Sequence, residues 1–133
     1  MRGKWSRINA KGKRRQPGAM NKVEEAYARE LEGQRERGEL LDFAFEGLSL
    51  RLGRASRYEP DFVVVAADCT LELHEVKGTG GWRLDSESRT KWIACAERYP
   101  WFVFKVATKR RVRDGGGFLV EVYEPREGWG VSG

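Results

Sequence analysis

The stretch Pro60-Asp61-Phe62-Val63-Val64-Val65-Ala66-Ala67-Asp68-Cys69-Thr70-Leu71-Glu72-Leu73-His74-Glu75-Val76-Lys77-Gly78 decides the fold. Asp61 to Ala67 is an unbroken apolar run behind an acid, which predicts a buried strand, and Asp68-Cys69 supplies the turn that follows. Thr70 to Lys77 then alternates. Leu71, Leu73, Glu75 and Lys77 fall on one face, and Glu72, His74 and Val76 on the other. The row that begins with two leucines therefore ends in an acid and a base. A carboxylate on a core-facing row needs a compensating cation, for which Lys77 and a metal ion are the two candidates.

Working outward, Asn21 is placed to cap a helix from Lys22 to Arg37 that Gly38 ends, with Glu24 and Glu25 in the first turn. Glu24 shares a face with Tyr27, Ala28 and Leu31, whereas Glu25 points with Arg29 and Glu32 toward water. Leu41, Phe43 and Phe45 alternate, Glu46-Gly47 turns the chain, and Leu48, Leu50 and Leu52 alternate again, which predicts one long bent strand or a tight hairpin. Gly53 to Glu59 is polar. Past the loop Gly78 to Gly81, Ser86 to Tyr99 reads as a helix with Trp92, Ile93, Ala96 and Tyr99 on its apolar face, stopped by Pro100. Trp101 to Val106 is a strand, Lys109 to Gly117 a basic, glycine-rich turn, and Phe118 to Tyr123 a last strand. The expected architecture is an α/β sandwich, a central mixed sheet flanked by helices.

At 133 residues the chain suffices for one domain with a real core, expected over residues 21–125 between an arm (1–20) and a tail (126–133). No apolar run approaches the roughly 20 residues of a membrane helix, and the N-terminus lacks the apolar segment of a secretory signal, so no membrane partner and a cytoplasmic location are expected. Cys69 and Cys95, in a turn and a helix without CxxC spacing, read as reduced thiols. The net charge is +5, yet residues 1–20 carry seven cations and no acid, leaving 5 − 7 = −2 for the rest. Basicity is thus concentrated in an arm that includes Lys13, Arg14 and Arg15, a pattern suited to phosphate-backbone contact.

An acid in an early helix (Glu24), then Tyr58-Glu59-Pro60-Asp61-Phe62-Val63-Val64, then His74-Glu75-Val76-Lys77-Gly78, resembles the PD-(D/E)xK nuclease superfamily. Asn21-Lys22-Val23-Glu24, the Pro-Asp strand, Glu-Val-Lys-Gly, and Arg89-Thr90-Lys91 through Tyr99-Pro100 look most like small phage proteins related to endonuclease I, a group of Holliday-junction resolvases. The similarity spans about residues 21–107. It implies a restriction-endonuclease-like core of order αβββαβ and a Mg²⁺- or Mn²⁺-dependent endonuclease acting on DNA, with branched DNA as a candidate substrate and a homodimer as a candidate assembly. On this resemblance Asp61, Glu75 and the Val76 carbonyl hold the metal, Glu24 binds a second ion directly or through water, and Lys77 orients or deprotonates the attacking water.

The chemistry agrees with that implication. Phosphodiester hydrolysis needs an activated water and neutralisation of charge developing on the phosphate, and hard oxygen donors suit Mg²⁺ or Mn²⁺. Arg89, Lys91, Lys109, Arg110 and Arg111 are candidate DNA contacts, and Trp82 is either a base-stacking group or a cover for the core. With a single histidine, His74, an HNH-type or His-rich zinc centre is excluded, and Gly78-Thr79-Gly80-Gly81 is no Walker loop. A non-catalytic DNA-binding protein on the same scaffold is the alternative.

Overall fold

A computed structural model describes residues 18–84 and 86–124. Helix α1 (Lys22–Glu36) opens on a capping box: the Asn21 Oδ1 accepts from the Glu24 N–H at 2.8 Å, and the Glu24 Oε1 accepts from the Asn21 N–H at 2.9 Å. Two orphan donors of the first turn are thereby satisfied. Ala19, just before the cap, is buried, and Met20 packs against the core.

Strands β1 (Leu40–Phe45), β4 (Phe62–Ala66), β5 (Leu71–Lys77), β6 (Val103–Lys109) and β7 (Phe118–Val122) form one sheet in the order β1-β4-β5-β6-β7. Only β5 and β6 run parallel; the other neighbours are antiparallel. The parallel pair is joined through helix α2 (Ser86–Arg98), the long crossover that parallel pairing requires. This is a mixed sheet with two helices, the α/β architecture expected. No described helix is long and apolar enough to cross a membrane.

The period-two alternation of β4 and β5 sorts the core into two layers. Phe62, Val64 and Val76 join Tyr27 and Leu31 of α1, Leu40 and Phe43 of β1, and Ala107 on one side. Leu73, Phe104 and Val106 meet Trp92, Cys95 and Ala96 of α2 on the other. Cys95 is a free thiol that burial pushes up to about 11, and Cys69 is free and exposed. Cys69 also takes φ 74° in the β4–β5 turn, the left-handed conformation that closes this tight reversal.

Two expectations for residues 41–59 are corrected. Leu41 to Leu52 is neither one bent strand nor a hairpin: β1 pairs with β4, whereas β2 (Leu50–Arg51) leaves the sheet and pairs with β3 (Arg57–Tyr58) in a separate two-stranded ribbon. The polar stretch 53–59 thus hides a strand. A register irregularity between Leu40 and Asp42 also turns Leu40 inward and leaves Leu41 exposed, reversing the alternation expected there. The ribbon packs Leu50 and Tyr58 into the α2 layer, and the Tyr99 hydroxyl donates to the Arg51 carbonyl at 2.7 Å, tying the ribbon to the end of α2. Strand β6 begins two residues later than expected and runs to Lys109, because Phe102 still belongs to the turn that follows α2.

Candidate functional site

The β4–β5 register pairs Phe62 with His74 and Val63 with Leu73. Continued one step, it sets Asp61 opposite Glu75, on the sheet face that carries α2, because residues directly opposite in an antiparallel pair share a face. Another step sets Val76 opposite Pro60. Proline has no N–H to give, so the ladder stops there. The Val76 N–H instead donates to the Asp61 Oδ2 at 2.8 Å. The Val76 carbonyl, which in a strand points to the same side as its own N–H, is left without a ladder donor from Pro60.

Glu75 is buried in the α2 layer and engaged on both oxygens. Oε1 accepts a short hydrogen bond from the Tyr58 hydroxyl, and Oε2 lies 3.6 Å from the Lys77 Nζ. Lys77 also sits 4.7 Å from the centre of the Trp82 ring, and Trp82 packs on Trp92 at 5.5 Å. Trp82 therefore covers the core and the ammonium together, the bland half of its expected role.

Glu24 is buried together with Tyr27 and Leu31, the face assigned from spacing. Its carboxylate both completes the helix cap and raises the energy of a charged Asp61. Asp61 is strongly perturbed. Burial, then repulsion by Glu75, then repulsion by Glu24 push it up to about 8, against the opposing pull of the Val76 N–H and of Lys77. Asp61 thus senses the charges of Glu24, Glu75 and Lys77. Burial and the Glu75 carboxylate push the Tyr58 hydroxyl far above the usual phenol range, which keeps it a donor.

Among the described residues no set of three or more His, Cys, Asp or Glu side chains is gathered as a metal cluster. The oxygen donors at this end of the sheet are the Asp61 and Glu75 carboxylates and the Val76 carbonyl, with Lys77 beside Glu75, and Asp61 accepts from the Val76 N–H through Oδ2. This set fits a hard, hydrated cation, which takes one or two carboxylates and keeps several waters, better than zinc, which takes nitrogen and sulfur donors.

The basic residues divide. Lys77 is opposite Thr108 in the parallel pair, so the turn holding Arg110, Arg111 and Arg113 extends beyond the end of the sheet where the acids lie, with all three arginines exposed. Lys109 at its base stacks 5.5 Å from the Phe118 ring. Arg110 is partly spent on its own turn, donating from Nε to the Gly116 carbonyl at 2.9 Å. Arg89 and Lys91 are exposed on α2. Lys13, Arg14 and Arg15 lie outside the described residues.

Sequence reasoning missed Tyr58, which stands in a polar stretch and acquires its role only through the ribbon. It also missed a second buried polar chain on the α1 face. His74 Nδ1 is 2.7 Å from the Tyr27 hydroxyl, His74 Nε2 is 2.8 Å from the Glu72 Oε1, and Lys105 lies 3.1 Å from the same oxygen. These residues line a cavity of about 250 Å³. Burial holds His74 below its ordinary value, so the imidazole is neutral and each ring nitrogen is matched.

A scan against protein-family models and a search of curated proteins find no match to this chain.

Proposed function

We propose that this chain is a metal-dependent DNA endonuclease with a restriction-endonuclease-like core of the PD-(D/E)xK type, hydrolysing phosphodiester bonds. The observation that carries the reading is that Asp61, one residue before β4 and next to the Phe62–His74 rung, accepts from the N–H of Val76, the residue after Glu75, with Lys77 at 3.6 Å from Glu75. Asp61 and Glu75, with the Val76 carbonyl, would hold Mg²⁺ or Mn²⁺, and Glu24 would add charge for a second ion. When bound, the ion supplies a water acidic enough to attack at neutral pH and neutralises the phosphate. Lys77 orients that water and faces the developing negative charge. The exposed arginines of the 110–113 turn contact the backbone on either side of the cut, and DNA, branched DNA included, is the substrate class.

Incubation of purified protein with supercoiled plasmid and with a four-way junction, in Mg²⁺, Mn²⁺ or EDTA, tests this. Cleavage that requires the metal and disappears in Glu75→Ala and Lys77→Ala is the expected result. Absence of metal-dependent cleavage of any substrate ends the enzymatic reading.

One observation favours the alternative, a DNA-binding protein that keeps the scaffold without the reaction. Glu75 is satisfied by Tyr58 and Lys77, and Glu24 by the helix cap, with no ion required. Calorimetry separates the two: a nuclease binds Mn²⁺ in an Asp61-dependent manner, and a pure binder does not.

A further inference from the structure

We propose that Tyr58 is a positioning residue of the site, its hydroxyl fixing the Glu75 carboxylate in the orientation that faces Asp61. This rests on the reading of Asp61 and Glu75 as the ion-holding pair and adds to it a part of the chain that carries none of the motif acids. Tyr58 comes from the two-stranded ribbon outside the main sheet, is itself buried, and donates to Glu75 Oε1 across 17 residues of sequence. The ribbon is held from two directions: Leu50 and Tyr58 pack beside Leu73 and Trp92, and the Tyr99 hydroxyl grips the Arg51 carbonyl at the C-terminal end of α2. Its anchor is therefore a hydroxyl on a rigid support.

The competition at Glu75 gives that hydroxyl its importance. Oε2 is drawn toward Lys77, a flexible side chain at 3.6 Å, longer than a strong charged hydrogen bond. Without Tyr58 the carboxylate can rotate toward the ammonium with both oxygens. Such a rotation closes the acid into an ion pair and withdraws it from Asp61. Groups that orient a metal-binding side chain through its other atoms typically change metal affinity by about 10- to 100-fold when removed.

The test uses the full chain and Tyr58→Phe, which retains the ring and its packing and deletes only the oxygen. Mn²⁺ affinity is measured by calorimetry, thermal midpoint by circular dichroism, and cleavage on plasmid. Phe43→Leu, a core change in the α1 layer away from the ribbon, serves as the structural control. The expected result is a Mn²⁺ affinity about tenfold or more weaker in Tyr58→Phe, with cleavage reduced in parallel and a midpoint near that of the parent. Phe43→Leu should lower the midpoint and leave Mn²⁺ affinity in place. Parental Mn²⁺ affinity in Tyr58→Phe, or an equal loss in Phe43→Leu, overturns the positioning role while leaving the site intact. Failure of the unaltered chain to bind Mn²⁺ overturns the site itself.

Discussion

The Asp61 carboxylate accepts the Val76 N–H at 2.8 Å, a side chain standing where the next rung of the β4–β5 ladder would have been. Pro60 creates the opening and Asp61 fills it, so the end of one strand and an acid of the site are specified by adjacent residues. The arrangement keeps a carboxylate largely buried beside two others, at a cost in stability that depends on pH.

That cost has a definite sign. Asp61 moves from an ordinary 3.8 to about 8 in the fold, so between these values the folded chain holds a proton that the unfolded chain has lost. Its contribution to stability is complete below about pH 4 and is lost as pH rises through 8. Asp61→Asn should therefore raise the thermal midpoint of the metal-free protein at pH 8 to 9 by about 5 °C or more, with little difference at pH 4. Denaturation curves across this range check it, and a difference that does not grow with pH contradicts it.

Mn²⁺ should reverse the ranking. An ion bound by the native state alone stabilises by about 2.7 kcal/mol at one hundred times its dissociation constant. The unaltered protein should gain midpoint on titration with Mn²⁺ at pH 8, and Asp61→Asn should gain much less. Differential scanning fluorimetry with EDTA controls measures both.

Lys77 divides binding from chemistry. Lys77→Met removes the cation beside Glu75 and over the Trp82 ring, and with it a general-acid/base candidate, while keeping an unbranched apolar side chain. Cleavage is expected to fall by about 10²- to 10⁴-fold, the range for loss of a positioned proton-transfer group. Mn²⁺ affinity should hold or rise, since a competing positive charge is gone. Parallel loss of both properties would make Lys77 a structural partner of Glu75.

Glu24 can be separated from its cap. Glu24→Gln retains an acceptor for the Asn21 N–H, so the midpoint should stay near that of the parent, whereas Glu24→Ala opens the capping box and costs about 1 kcal/mol. If Glu24 serves the site, both variants lose cleavage to a similar degree. Activity that survives in Glu24→Gln leaves this acid with the helix alone.

Replacing Arg110, Arg111 and Arg113 by alanine should weaken DNA binding in a salt-dependent way. Each phosphate contact removed reduces the slope of log affinity against log salt by about 0.9. Filter binding at several salt concentrations reads that slope, and an unchanged slope assigns the turn to solvent.

The strand pair bearing the acids was legible because its signal is local. An apolar run, a turn and a strict alternation place Glu75 and Lys77 on one face without any tertiary information, and Asn21 with Glu24 marks the start of α1 equally well. The ribbon was not legible. Two-residue strands have no periodicity to detect, and Arg57-Tyr58 lies among glycine, serine and arginine, where only packing against α2 makes a strand of it. Leu41 misled for a related reason: an irregularity of one residue inverts an alternation that composition alone suggests is regular. The His74 chain escaped notice because its partners come from α1, β5 and β6 and meet only when the sheet is assembled.

His74 and Glu75 are consecutive, yet one faces Tyr27 of α1 and the other Tyr58 of the ribbon. Strand β5 thus acts as a two-sided key whose teeth alternate between layers. A slip of a single residue against β4 would turn the imidazole toward the ammonium and drive the carboxylate among Phe62 and Leu31. The reversal at Asp68 and Cys69 is what fixes that count. Its length is a chemical parameter of the protein, and insertions there should be tolerated far less than in the glycine turn at 115–117.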